Sequence, residues 1–260
     1  MTWVDVKEYL VHNDMVIIPM GSTEQHGPQL PLGTDYVESI DLAKRISAKT
    51  GVIVAPLLLV GYSEYHTGFP GTISVKPETL SELLFEATES LIKYGFRRIM
   101  FFNFHGGNFI AQANVIHRIN YETEALAIDI GLGSAIQKLA TEDSMDYHAG
   151  VYETSIMLYL VPSMVRLDKF QKPEMHLTPK VQELLELSKN NPQLILVSDL
   201  LLGVPSETKK GGASNELSSN GIWSLKNPKS ASSEIGEKIT DEVTDNVVKF
   251  IESWKKAKIK

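Results

Sequence analysis

Short apolar runs alternate along the chain with longer stretches in which apolar side chains recur every third or fourth position, a pattern that predicts an α/β fold. Strands are expected at 15–20, 52–57, 98–103 and 125–130. Their apolarity is continuous rather than alternating, as strands covered on both faces require, so a largely parallel central sheet between two helical layers is expected. One helix should run over 36–49 on a face of Val37, Ile40, Leu42, Ala43 and Ile46, stopped by Gly51. A second should start at Pro77, carry Leu80, Leu83, Leu84, Ala87, Leu91 and Ile92, and close at Gly95. A third, after Asn108, shows Ile110, Ala113, Ile116 and Ile119; the last, over about 232–256, repeats Ile235, Ile239, Val243, Val247 and Ile251.

Composition narrows the function. The 260 residues, 43% hydrophobic and 22% charged, fit one domain over 1–260, with a long surface loop in the Gly/Ser/Lys-rich stretch at about 202–219. A net charge of -7 disfavours nucleic acid as a partner. Cysteine is absent, which excludes disulfides, thiolate metal sites, iron–sulfur clusters and Cys nucleophiles, so any metal must sit on His, Asp and Glu. Residues 1–8 are charged where a signal peptide needs an apolar core and no run approaches membrane length, so a cytoplasmic protein without a membrane partner is expected. Ser22 lies outside any G-x-S-x-G elbow and is set aside as a nucleophile.

Chemistry concentrates where strands end. After the first strand, Glu24 and His26 stand two apart, and in extended backbone both can face one point, a geometry suited to metal ligation. Asp35 follows a Pro/Gly-rich turn; it could bridge two metals or simply cap the next helix. His105 ends the third strand, where open α/β sheets bind ligands, although taken singly it could be structural; Gly106 and Gly107 permit close approach, and Asn108 reads as the next helix's N-cap. Glu153 sits in an apolar helical segment, costly unless paired or metal-bound, with solvent exposure as the alternative, and His148 nearby reads as a substrate-side group. Together, Glu24, His26, Asp35, His105 and Glu153 form a hard ligand set for a pair of divalent ions. Such a site polarises a carbonyl and lowers the pKa of water, so hydrolysis is the natural reaction.

These residues fall in motifs that resemble those of the creatininase (creatinine amidohydrolase) family: Gly21-Ser22-Thr23-Glu24-Gln25-His26-Gly27, Leu32-Gly33-Thr34-Asp35, Phe69-Pro70-Gly71-Thr72, Asn103-Phe104-His105-Gly106-Gly107-Asn108 and His148-Ala149-Gly150-Val151-Tyr152-Glu153-Thr154-Ser155. The resemblance implies a three-layer α/β/α fold, two divalent ions on those five ligands, hydrolysis of an amide or cyclic amide in a small molecule, and a homohexamer. Zn and Mn are the expected ions, with Fe(II) compatible because no thiolate is needed. His148 and Glu153 are the expected catalytic residues, and His66, Thr72, Gly106, Gly107 and Asn108 the expected substrate contacts.

Two departures bear on the substrate. Creatininase itself has a glutamate where Gly107 stands and a tryptophan where Ser144 stands, and no tryptophan occurs here between Trp3 and Trp223. Creatinine is therefore expected to be a poor substrate. Other members act on a formamide, a peptide bond or an inosose ring; the expectation for this chain is a non-peptide C–N bond, with a cyclic sugar ketone hydrolase and a non-catalytic metal-stabilised scaffold as alternatives. Trp223 could close the pocket or anchor an interface.

Overall fold

A computed structural model describes residues 1–55, 60–131, 146–191 and 212–257, together with 193, 194, 197, 201, 203 and 204. In chain order the described elements are α1 (Trp3–Tyr9), β1 (Met15–Met20), α2 (Thr34–Thr50), β2 (Ile53–Val54), α3 (Pro77–Tyr94), β3 (Arg98–Asn103), α4 (Phe109–Glu122) and β4 (Leu126–Asp129). They are followed by β5 (Asp146–His148), α5 (Val151–Leu160), α6 (Pro179–Ser188), α7 (Ser214–Leu217), β6 (Trp223–Ser224) and α8 (Ser233–Lys255). The central sheet has the order β2-β1-β3-β4, every pair parallel, as the continuous apolar runs require. β2 is shorter than the expected 52–57, of which 56 and 57 lie outside the described residues. Among the described residues, no helix is long and apolar enough to cross a membrane.

Strand alternation distributes the core. Val16, Ile18, Met20, Ile99 and Phe101 face Leu80 and Leu84 of α3 and Ala111, Val115 and Ile119 of α4. Met15, Ile17, Met100 and Phe102 face Leu42, Ala43 and Ile46 of α2 and Val247 and Ile251 of α8. The result is the three-layer α/β/α arrangement. Helix ends follow local chemistry: Pro77 opens α3, while Gly51 and Gly95, at φ of 70° and 114°, stop α2 and α3.

Several stripes differ from expectation. On α4 the buried positions are Ala111, Gln112, Val115 and Ile119, with Ile110 69% exposed, because a 3-10 turn at Gly106–Asn108 sets the phase at which the helix starts. On α8 the first half buries Gly236, Thr240 and Thr244 rather than Ile235, Ile239 and Val243. On α2 the first half buries Asp35, Glu38 and Ser39, whereas Val37 and Ile40 are only half-buried. The expected surface loop at 202–219 is corrected at its described end: Ser214, Leu217 and Ser218 are buried, with α7 docked against the 64–66 turn. Residues 202 and 205–211 of that stretch lie outside the described residues.

Candidate metal centre

The site lies beyond the carboxyl ends of β1 and β3, the crevice position typical of open α/β sheets. Past Met20 the chain stays extended: Thr23 bridges to Ile73, and the Glu24 N–H donates to the Leu32 carbonyl at 2.9 Å. Glu24 and His26 consequently share a side, with His26 Nε2 4.0 Å from Glu24 Oε1. Asp35 is not the helix cap; Gly33 holds that position, and Asp35 lies in the first turn of α2, buried and turned inward. His105 is held by Asn103, whose side chain accepts the His105 N–H at 3.1 Å and donates to the His105 carbonyl at 2.8 Å.

Glu153 arrives from α5. Asp146 accepts the N–H groups of Val151 and Tyr152 at 3.0 and 3.1 Å, starting that helix with a carboxylate where its dipole favours one. Ala149, at φ 53°, takes a left-handed conformation that is unusual for a residue with a side chain, and its N–H donates to the Glu153 carboxylate. The Glu153 side chain is 23% exposed, so it is neither fully buried nor merely facing solvent.

Three histidines share one arrangement. His26 Nδ1 lies 3.2 Å from the Glu24 carbonyl, His105 Nε2 2.8 Å from the Tyr62 carbonyl and His148 Nε2 2.7 Å from the Gln25 carbonyl. A carbonyl only accepts, so each of these nitrogens carries the ring proton and the other nitrogen is left as a lone pair when the ring is neutral. Those other nitrogens face carboxylates: His26 Nε2 is 2.9 Å from Asp35 Oδ1 and 3.9 Å from Glu153 Oε2, and His105 Nδ1 is 3.2 Å from Glu24 Oε1 and 3.3 Å from Asp35 Oδ2. Glu24 Oε2, Asp35 Oδ2 and His26 Nε2 are buried without a well-oriented hydrogen-bond partner. Lone pair against lone pair is repulsive unless a positive charge lies between them. Ligand atoms at about 2.1 Å from a common ion stand roughly 3–4 Å from one another, which is the spacing found here.

Among the described residues, three groups of donor atoms converge closely enough for one ion: Glu24, Asp35 and His105; His26, Asp35 and Glu153; and Glu24, His26 and His148. The first two share Asp35 and together contain all five expected ligands. The third adds His148, expected only on the substrate side.

Charge reflects the same crowding. Burial opposes a charged His26, yet the charge and hydrogen bonding of Asp35, then Glu153 and Glu24, outweigh it and raise the imidazole to about 10. His105 is raised well above its usual value, burial being overcome by Glu24 and Asp35. Burial pushes Glu153 up to about 7, partly offset by His26. His148 falls to about 3 through burial and the His26 charge, and burial also takes His66 well below the ordinary histidine range.

The expected substrate contacts are unevenly placed. His66 is buried beside Glu24, its Nε2 3.5 Å from Glu24 Oε1. Asn108 holds the N-cap position of α4 as expected but makes no side-chain capping bond; its side chain accepts the Tyr62 N–H at 3.1 Å and donates to the Gly21 carbonyl at 3.0 Å, tying two loops together. Thr72 Oγ1 donates to the His66 carbonyl and accepts the Gln25 N–H, at 3.2 and 3.0 Å. Gly106 has open space around it, whereas a Cβ on Gly107 would overlap the Tyr62 carbonyl oxygen.

Two residues at the site, Gln25 and Glu38, escaped the sequence reading. Gln25 joins His66, His148, Gly27 and Gly221 by hydrogen bonds. Glu38, one turn after Asp35, is a buried carboxyl pushed well above its ordinary value by burial and by Glu153 and Asp35; its spacing from Asp35 was the available signal. Trp223, expected either to close the pocket or to anchor an interface, stands 5.1 Å from His66 and 5.8 Å from His148 between ring centroids, carried there by the pairing of β6 with β5. Ser144, which replaces a family tryptophan, lies outside the described residues.

The Creatininase family profile, described as creatinine amidohydrolase, matches residues 1–251. A mycofactocin precursor peptide peptidase of Mycolicibacterium smegmatis is 38% identical over 161 residues, 60% of this chain and 61% of that protein. A 3-dehydro-scyllo-inosose hydrolase of Thermotoga maritima is 35% identical over 175 residues, 64% and 56% of the two chains. The match therefore spans less than two thirds of either relative's own length. A solved mutant creatininase described as Zn-Zn type superposes with a TM-score of 0.76 over 99% of this chain and 97% of that one, at 23% identity, a likeness of fold. With the profile covering nearly the whole chain, this protein belongs to the creatininase family.

Proposed function

We propose that this chain is a metal-dependent hydrolase that uses two divalent ions, Zn and/or Mn, to cleave an amide-type C–N bond in a small molecule, with cyclic amides and formamides foremost. The observation that carries the reading is the pair of buried imidazole nitrogens, His26 Nε2 and His105 Nδ1, turned on carboxylate oxygens while each ring's N–H is held by a backbone carbonyl. Glu24, Asp35 and His105 would hold one ion and His26, Asp35 and Glu153 the other, with Asp35 shared. When bound, such ions bring Lewis acidity to the scissile carbonyl and lower the pKa of the attacking water.

The chain's own groups do the rest. His148, with its bare Nδ1 turned toward Glu24 at 3.7 Å, orients the substrate or takes a proton from the attacking water and passes it to the leaving nitrogen. Glu153, with a carboxyl that titrates near neutrality before metal enters, both ligates and shares in proton movement. The peptidase among the relatives gives the restriction to non-peptide bonds no support, so short peptides belong in the same test. The inosose hydrolase supports a second reading, hydrolysis of a cyclic sugar ketone.

A panel of cyclic amides including creatinine, formamides, short peptides and a keto-inositol, assayed with added Zn or Mn, tests the proposal. Metal-dependent turnover of an amide or formamide other than creatinine is expected. Asp35→Asn should abolish it, and His148→Ala should slow it by about 10²–10⁴ with metal retained. Turnover of the keto-inositol alone would favour the second reading, and no turnover of any compound by protein carrying its metals would leave a closed scaffold. Equal metal loss in both variants would move His148 into the ligand set.

A further inference from the structure

Gln25 lies between Glu24 and His26, and its amide is locked in orientation. Oε1 accepts the Gly27 N–H at 3.0 Å, and Nε2 donates to the Gly221 carbonyl at 2.9 Å. Exchanging oxygen and nitrogen would set donor against donor and acceptor against acceptor. Gly221 has φ 84°, and a Cβ there would overlap Gln25 Oε1, so the turn is shaped to seat the amide.

The second hydrogen on Nε2 faces two imidazole nitrogens, His66 Nδ1 and His148 Nε2, each 3.0 Å away. His148 Nε2 already gives its proton to the Gln25 backbone carbonyl at 2.7 Å and has no lone pair to offer. His66 Nδ1 is the remaining acceptor, and the Ser214 hydroxyl, brought by α7, contacts the same atom. An amide N–H can only donate, so its bond to Nδ1 puts the His66 proton on Nε2, and the Ser214 hydroxyl, which can donate or accept, fits that tautomer. The rings stack at 4.2 Å and 28°, and their other nitrogens meet the same Glu24 oxygen: His66 Nε2 at 3.5 Å and His148 Nδ1 at 3.7 Å.

We propose that Gln25 is a positioning residue of the hydrolase: its side-chain amide holds His66 with a proton on Nε2, and its backbone carbonyl holds His148 with a bare Nδ1, so that a hydrogen-bond donor and an acceptor face the same point of the site. The two histidines hold the same tautomer but present opposite ends. The catalytic consequence rests on the proposed function; the tautomers themselves do not.

The test is ring ¹⁵N–¹³C spectroscopy of histidine-labelled, zinc-loaded full-length chain without substrate, with signals assigned by their loss in His66→Gln and His148→Gln. Both rings should carry a proton on Nε2 and none on Nδ1. In Gln25→Glu, whose ionised side chain only accepts, His66 should gain a proton on Nδ1 while His148, bonded to a backbone carbonyl, keeps Nε2–H. A proton on His66 Nδ1 or a bare His148 Nε2 in the parent chain would overturn the proposal, as would a folded Gln25→Glu with His66 unchanged. Should that variant fail to fold, the parent spectrum decides alone. Because no substrate is present, an inactive amide panel and a failed tautomer assignment are separate results.

Discussion

His105 is placed as much by a residue without a side chain as by its hydrogen bonds. Gly107 lies under the Tyr62 carbonyl, the same oxygen that takes the His105 Nε2–H at 2.8 Å, and a Cβ there would also come within 2.7 Å of Tyr65 Oη. Gly107→Ala should therefore destabilise the fold by about 1–3 kcal/mol, the usual cost of overpacking, and weaken zinc binding by disturbing His105. Denaturant unfolding and zinc titration measure the two effects; an unchanged midpoint together with unchanged affinity would contradict the packing argument. Gly107→Glu should cost more, since the glutamate that creatininase has at this position finds no room here. Glu24, His26 and His105 could be read from the chain because extended backbone and strand ends obey simple rules. Gln25 could not, because its partners Gly221, His66 and His148 are distant in sequence and its role consists only of hydrogen bonds through space.

At the level of elements, the site depends on how α5 is held. Gly236 brings α8 against α5 so closely that a Cβ would overlap the Ser155 carbonyl oxygen, and the Ser232 N–H donates to Ser155 Oγ at 3.1 Å. Gly236→Ala should push the helices apart and lower stability by about 1–3 kcal/mol. Because α5 carries Glu153, the variant should also lower affinity for zinc, and intact stability in denaturant unfolding would refute the close contact. The strands and most helices were legible because continuous apolarity and Pro/Gly punctuation have local causes. The faces of α2 and α8 were misread for a shared reason: on both, the buried side carries small or polar residues, Asp35, Glu38 and Ser39 on one and Gly236, Thr240 and Thr244 on the other. An apolar stripe predicts burial only where burial serves a core. Here one stretch serves the site and the other a backbone-to-backbone approach.

Across the whole molecule, the parallel sheet followed from the sequence pattern, whereas the β5–β6 pair did not. It joins three residues to two across a long separation, too short for any periodicity, yet it brings Trp223 beside the histidines. The centre assembled by these elements has an electrostatic signature. Before metal enters, His26 is raised to about 10 and His105 well above its ordinary value, so both are protonated at pH 7. Zinc must displace those protons and the part of one held by Glu153, which is raised to about 7, so binding at pH 7 should release somewhat more than two per chain, and affinity should fall as pH falls. Calorimetry in buffers of different ionisation enthalpy measures the release; binding without proton release would contradict the assigned ligands. The most direct measurement of the central claim is the metal content of folded chain purified without chelator. The account predicts about two divalent ions per chain, with a large loss in Asp35→Asn, which removes charge from the ligand shared by both ions. A fully folded chain that carries no metal and takes up none from added Zn or Mn would contradict it.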